Sequence, residues 1–342
     1  MKKVGIATIV LLASFGTIEI LLRTIGIAPA HEIEYQYEVR IRPNHFFAPD
    51  SLLGWQSAAG TFSFSYNDTI PLFDCTILPN HQRIAAASPT GDSATSVHLY
   101  GCSFTFGYSV QDNQTVGWQL QKLLPEYRIE NKATPGFGLA QAYLALTRSI
   151  AVGDTPDIAV FNYGSFHNMR SPLHHGWSSA LRFAIEQNKQ THYEGFSYPY
   201  FTDTVNTLKN IAYMPYHQLP KDWHWRDKSA FINLLNTVYE TWHDNQIVAL
   251  LQHQNQQALI EIGNFAKVHG IKIFFGMLES NAETLETEAL LQQNDFQTIR
   301  YNVNVADTAY NCSPWDPTHP NAKAHAIYAN KIAQQININA HE

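Results

Sequence analysis

The sequence predicts an α/β protein built on a parallel, doubly wound sheet, preceded by an apolar amino-terminal helix and a β-rich lead-in. Three observations carry this. From residue 97 onward, short apolar runs alternate with 3.6-residue helical patterns, as a parallel sheet with crossover helices requires. Residues 31–96 are instead rich in aromatics, Pro, Gly, Asn and Asp, with alternating runs such as Thr61-Phe62-Ser63-Phe64-Ser65-Tyr66 that read as strands and loops. Residues 4–22 contain a single charge, Glu19. Composition permits a large core, since 45% of residues are hydrophobic and only 15% charged, which excludes a disordered chain. A net charge of -7 with no basic run argues against a nucleic-acid surface. The three cysteines, Cys75, Cys102 and Cys312, lack C-x-x-C spacing, so neither a disulfide scaffold nor a structural zinc site is expected.

Residues 4–22 follow Lys2 and Lys3, and a helix of that length is about 28 Å long, close to a bilayer core. The two lysines favour an inside amino terminus, which places the rest of the chain outside, in the periplasm of a diderm bacterium. Glu19 and Arg23 can pair at i,i+4 near the outer interface. A cleaved signal segment is the competing reading, because Ala28-Pro29-Ala30 is an A-x-A-like site, which would leave a secreted or periplasmic protein. The expected organisation is an anchor or signal segment at 1–30, a β-rich lead-in at 31–96 packed on the catalytic domain, and that domain at 97–342. Export would permit a disulfide between Cys75 and Cys312; free buried thiols are an equally open reading.

Within the α/β region the pattern predicts strands at 97–100, 127–130, 157–162 and 271–277. Helices are expected at 114–124, 138–150, across 227–268, at 282–293 and at 321–336. In the second of these, Leu139, Ala142, Tyr143, Leu146 and Ile150 are spaced to bury one face. An aromatic-rich insertion, 170–226, follows the third strand, the place where lids and binding loops occur. Its rings read chiefly as a satellite core.

Two segments carry chemistry. Gly101-Cys102-Ser103-Phe104-Thr105-Phe106-Gly107 follows the apolar run Val97-His98-Leu99-Tyr100, so Ser103 is delivered at the carboxyl end of a strand between glycines that permit a sharp turn. It is not the G-x-S-x-G elbow, because Thr105 stands where that motif needs glycine. Near the other end, Trp315-Asp316-Pro317-Thr318-His319-Pro320-Asn321 offers a base and a carboxylate from one loop. A serine needs a base, and the base needs a group to fix its tautomer and stabilise its imidazolium.

With these segments the chain resembles the SGNH (GDSL-like) hydrolases. The nucleophile motif G-D-S-x-x-x-G is similar to Gly101–Gly107 with cysteine in place of aspartate, and the closing D-x-x-H-P is matched by Asp316 to Pro320. The second motif, a strand ending in asparagine before an oxyanion glycine, is similar to Asn131-Lys132-Ala133-Thr134-Pro135-Gly136. The third, G-x-N-D, departs: at Tyr163-Gly164-Ser165-Phe166-His167-Asn168 an ungapped match places Phe166 at the oxyanion asparagine, with Asn168, His167 or Ser165 as stand-ins. The resemblance spans residues 97–336. It implies a flavodoxin-like three-layer fold and a Ser103, Asp316, His319 triad. The implied oxyanion hole is formed by Ser103, Gly136 and Asn168. It further implies no metal or other cofactor and an acyl-ester substrate; exported, anchored relatives often act on acyl groups of envelope carbohydrate.

Simpler readings stand beside these. The pair His174-His175 reads as solvated loop, with no H-E-x-x-H pattern beside it. His325 is expected to face solvent or pack, and Cys102 to be buried filler. Two other functional readings are a non-catalytic carbohydrate-binding or assembly component that keeps the fold, and a metal phosphoesterase built on His174 and His175.

Overall fold

The computed structural model describes residues 2–30, 39–66, 69–87, 94–187 and 195–340; the opening of the lead-in, 31–38, lies outside them. Helix α1 (Lys2–Thr24) comes first. The lead-in supplies β1 (Val39–Arg42), β2 (Phe47–Asp50), β3 (Gly54–Ser57), β4 (Gly60–Tyr66) and β5 (Ile70–Ile77). Then come β6 (Ser96–Tyr100), the single turn α2 (Ser103–Phe106), α3 (Val116–Leu123), β7 (Arg128–Asn131), α4 (Leu139–Ala151) and β8 (Ile158–Tyr163). The insertion holds α5 (His175–Gln187) and the hairpin β9 (Ser197–Phe201) and β10 (Ile211–Pro215). The chain closes with α6 (Ala230–Val268), β11 (Lys272–Met277), α7 (Ala282–Gln293), β12 (Gln297–Arg300), β13 (Asn311–Cys312), β14 (Asp316–Pro320) and α8 (Ala322–Ala340).

Five parallel strands form the central sheet in the order β12-β11-β8-β6-β7. Every residue of β6 and β8 is buried, which is why those strands read as continuous apolar runs rather than alternating ones. One face packs against α4 and the carboxyl half of α6, through Leu139, Leu146, Leu259 and Ile262. The opposite face packs against α3 and α8, through Val116, Leu120, Tyr328 and Ile332. The architecture is therefore the expected three-layer one, with boundaries within a few residues of those predicted. The sequence reading omitted β12, an edge strand with one buried residue in four and so little apolar signal.

The region 227–268 forms one helix of 39 residues, about 58 Å long. Its buried residues concentrate after Leu251, while Leu235, Val238, Tyr239 and Trp242 on the first half are exposed. Its amino end is capped twice: Ser229 Oγ accepts from Ile232 N at 3.2 Å, and the Glu19 carboxylate accepts from Ala230 N at 2.9 Å and Phe231 N at 3.1 Å. Glu19 also pairs with Arg23 at 2.7 Å, as its spacing predicts. Helix α1 occupies the segment expected to span a membrane. Among the described residues, however, no helix is long and apolar enough to cross one, and the side chains of residues 2–5 and 7 lie outside that description.

The lead-in folds as the antiparallel sheet β1-β4-β5 over its own aromatic core of Phe46, Phe62, Phe64 and Phe73, which Phe106 and Ala133 complete from the α/β region. Arg83, 1% exposed, welds the two parts. Its Nε donates to Asp112 at 3.0 Å, Nη2 to the carbonyls of Val110 (2.7 Å) and Asp74 (3.3 Å), and Nη1 to those of Gly107 and Phe106. Cys75, Cys102 and Cys312 are all free, so the free-thiol reading holds and no Cys75–Cys312 disulfide is formed.

Removing one partner from a buried charged network leaves the others unsatisfied. Arg83→Met should destabilise the chain by about 3–5 kcal/mol in denaturant unfolding. A loss below about 1 kcal/mol would mean that water replaces the guanidinium at those carbonyls.

Candidate active site

The chain turns abruptly at the carboxyl end of β6. Gly101 has φ +156°, and a Cβ there would collide with Thr105 Oγ1, so glycine is required by both backbone and space. The single turn α2 then begins at Ser103 and ends at Gly107, in the left-handed region with φ 86°. Asn131 at the end of β7 clamps this turn, donating from Nδ2 to Thr105 O at 2.9 Å while its Oδ1 accepts from Ala133 N at 3.2 Å. Asn162 at the end of β8 donates to Thr105 Oγ1 at 3.0 Å and accepts from Tyr301 OH at 2.5 Å. Both asparagines fix the turn by side-chain bonds to it.

Ser103 is 5% exposed, so access to it runs through a cavity of about 350 Å³. Gly136 and His319 line the same cavity, together with Trp55, Tyr108 and Arg170. Gly136 has φ +87°, and Trp55 lies against it with its Nε1 donating to Pro135 O at 3.2 Å. His319 and Asp316 sit together on β14, and His319 Nδ1 meets Asp316 Oδ2 at 2.7 Å. The ring is also held against Tyr108, with centroids 4.9 Å apart, and Phe104, at 5.6 Å.

Asp316 is itself positioned. Ser109 Oγ donates to Oδ2, and Thr318 donates to Oδ1 from its N–H at 3.1 Å and its hydroxyl at 2.7 Å. Burial opposes the charge, but His319, Ser109 and Thr318 outweigh it and hold the carboxyl well below the usual range. Ser109 performs this role from a left-handed backbone, φ 70°, a conformation that costs a non-glycine residue on the order of 1 kcal/mol. The sequence reading missed Ser109; its only signal is its place just after Gly107.

The structure thus brings Ser103, Gly136 and His319 to one cavity, with Asp316 behind the imidazole. Among the described residues no hydrogen bond joins Ser103 Oγ to His319. Both line the cavity, and a catalytic hydrogen bond is often long or poorly aligned where no substrate is bound. Asn168 is not brought there. It is 1% exposed, its Oδ1 accepts from Tyr163 OH at 2.8 Å and Asn255 Nδ2 at 3.2 Å, and it lines a different, small cavity. The other stand-ins are committed as well: Ser165 Oγ donates to Glu279 at 2.8 Å, and the His167 imidazole lies 3.0 Å from Gly164 O. Burial, chiefly, pushes His167 well below its usual range.

Phe166 packs against Phe104, with ring centroids 4.9 Å apart and planes tilted by 44°. It helps line a second, wider cavity of about 1110 Å³ on the other side of His319. Arg170 and Trp177 line both cavities. The Arg170 guanidinium lies 5.0 Å from the Phe166 ring and 5.0 Å from that of Trp177, and its Nη1 donates to Phe137 O at 2.6 Å. No motif in the sequence marks Arg170. Of the insertion aromatics, Phe196, Tyr198 and Phe201 join the main core, whereas Trp223 and Trp225 are exposed. His325 is fully buried and accepts from Val116 N at 3.2 Å, and Cys102 is buried, as expected of filler. His174 and His175 are not solvated loop: both are largely buried against Asp244 of α6.

A carboxyl whose folded pKa is depressed contributes stability above its unfolded value, near 3.9, and that contribution is lost as pH falls toward the folded value. The stability difference between the wild type and Asp316→Asn should therefore be constant near pH 5 and shrink below about pH 4 in unfolding experiments. A difference that does not change with pH would show that the carboxylate's charge is not what Asp316 contributes.

No family model and no curated protein matches the chain. Among solved structures it is similar to the psychrotrophic esterase EstA from Pseudoalteromonas sp., with TM-score 0.41 and 10% identity over 72% of this chain and 100% of that one. It is also similar to TesA, with TM-score 0.39 and 13% identity over 70% and 97% of the two chains. A GDSL-like lipase from Bacteroides thetaiotaomicron gives TM-score 0.36 and 12% identity over 74% and 92%. Likenesses this distant carry no argument about the chemistry of this chain, which rests on the residues described above.

Proposed function

We propose that the chain is an exported serine esterase or acyltransferase that cleaves acyl esters, with O-acyl groups of envelope carbohydrate as the substrate class. The observation that supports it best is that Ser103, Gly136 and His319 line one cavity while Asp316 holds His319 Nδ1. In this reading His319 Nε2 takes the Ser103 Oγ proton as Oγ attacks the ester carbonyl carbon. The tetrahedral oxyanion forms at the N–H groups of Ser103 and Gly136. One such preorganised donor is worth roughly 3–4 kcal/mol of barrier. Collapse breaks the ester C–O bond, His319 gives its proton to the departing alcohol, and the acyl group rests on Ser103. Water or a second alcohol, deprotonated by the same imidazole, then releases it.

With Phe166 at the third-motif position, the wall that would carry an asparagine carries an aromatic pair and the Arg170 cation. That wall suits an oxygen-rich substrate with apolar ring faces. The narrow, aromatic cavity at Ser103 suits the acyl group, and the wider one beyond His319 suits the alcohol portion.

Localisation is part of the same proposal: α1 anchors the protein in the inner membrane, with the catalytic region in the periplasm. Its supports are the single charge in residues 4–22, the exposed Ile9, Val10, Leu11, Leu12, Ile20 and Leu21, and the exposed Trp223 and Trp225 just before the α6 end that Glu19 caps. Tryptophans at such a boundary match the interfacial belt of anchored proteins. Retention of the segment, rather than cleavage near Ala30, is favoured because Ala30 is buried and donates to Arg226 O at 3.1 Å.

Ser103→Ala should lower turnover of acetylated glycans and short-chain aryl esters by about 10⁴-fold or more while leaving the fold intact. A phosphonate ester should label the wild type at Ser103. Unchanged turnover in the variant would reject the mechanism. Sugar binding without release of acid would favour the non-catalytic carbohydrate-binding reading. The full chain should also stay with the membrane fraction through alkaline washing and retain its amino-terminal segment in mass spectrometry. Release as a soluble protein beginning near His31 would reject the anchor.

A further inference from the structure

Outside the candidate active site, two clusters of the described residues combine histidine with carboxylates at ligand distances. One, His98 with Glu130 and Asp154, is crossed by Lys132, which lies 2.7 Å from Glu130 and 2.5 Å from Asp154, and by Arg128. Its carboxylates are neutralised, and burial and Lys132 push His98 down to about 3, so this is a salt-bridge network. The other cluster differs. It joins the first turn of α5 to the middle of α6, and Asp244 there faces three imidazoles: His174, His175 and His243.

We propose that His175, His243 and Asp244 form a zinc site that pins α5 to α6 beside the wider cavity. His175 Nδ1 lies 3.0 Å from His243 Nδ1 and 3.3 Å from Asp244 Oδ1, and His243 Nδ1 lies 3.4 Å from that same oxygen. Zinc binds such nitrogens and oxygens at about 2.0–2.2 Å in a tetrahedron, whose edges are then about 3.3–3.6 Å. The three donor atoms thus already form a triangle of nearly the right size, each with a lone pair to offer once both rings carry their proton on Nε2. Without an ion the two facing Nδ1 atoms either share one proton or turn an Nδ1–H to Asp244 Oδ1, which both rings reach.

The carboxylate is held for the role. Asp244 accepts from His175 N at 2.8 Å on Oδ1 and from Gly176 N at 3.1 Å on Oδ2, and His174 Nδ1 stands 3.1 Å from Oδ2. Burial opposes its charge, but these N–H groups and imidazoles keep it below the usual carboxylate range. Bonds that orient a ligating carboxylate in this way are a regular part of metal sites. Three protein ligands leave the fourth position to water or to an oxygen of a bound molecule, since His174 and Gly176, on the same turn, line the wider cavity. Trp177 and Leu181 on α5 line the cavity at Ser103, so the ion would fix a wall of the candidate active site without entering its chemistry. The sequence could not show this, because the two halves of the site lie 68 residues apart.

The test titrates Zn²⁺ into the purified, chelator-stripped full chain and substitutes Co²⁺ as a spectroscopic probe. The expected result is one tightly bound equivalent, the intense visible absorption of four-coordinate cobalt, and a rise in Tm with Zn²⁺. His243→Ala and, on the other helix, His175→Ala should each weaken binding by at least about tenfold and abolish the Tm rise. His253→Ala, an exposed histidine of α6 outside the cluster, should leave all three readouts unchanged. Absence of stoichiometric binding would overturn the proposal. So would binding that survives His243→Ala and His175→Ala, or that falls equally in His253→Ala.

Discussion

The arrangement depends first on one buried cation. Arg83 comes from the lead-in, yet its guanidinium gathers the carbonyls of Phe106, Gly107 and Val110 and the carboxylate of Asp112, the loop that leaves the Ser103 turn. A guanidinium stripped of water is tolerable only where its fixed fork of donors is fully met, so its burial dictates the path of that loop. The loop in turn presents Ser109, and Ser109 fixes the Asp316 carboxylate that holds His319. The lead-in is thus part of the site: its arginine holds the carbonyls on either side of Ser109, those of Gly107 and Val110.

The second constraint is division of space. His319 stands between a narrow aromatic cavity reaching Ser103 and a wider, more polar one beyond Phe166, and Arg170 and Trp177 belong to both. The insertion supplies much of the dividing wall, and α5 is tied to α6 through Asp244, which accepts the first N–H groups of α5.

The third is the long reach of α6. Its carboxyl half lies on the sheet, while its amino half projects with exposed apolar residues and is capped by Glu19 from α1. One carboxylate satisfying two orphan N–H groups couples the apolar amino-terminal helix to the α/β region through a defined joint rather than a loose linker.

The sequence by itself determined the layers and pointed to four of the candidate site positions, Ser103, Gly136, Asp316 and His319. Continuous apolar runs at β6 and β8, the helical spacing of Leu139 and Leu146, and the two segments around Ser103 and His319 are local signals, because strand burial, helix periodicity and turn glycines act over a few residues. The edge strand β12 and the single span of α6 were not legible, the first for want of apolar residues and the second because half of its buried face is missing. What only the tertiary structure decided are the contacts between segments far apart in the chain: Arg83 on the 106–110 loop, Ser109 on Asp316, His175 against His243, and the withdrawal of Asn168 into a network with Asn255. Each is a polar side chain whose partner is set by packing, and a polar residue in a sequence carries no mark of which distant group will satisfy it once water is excluded.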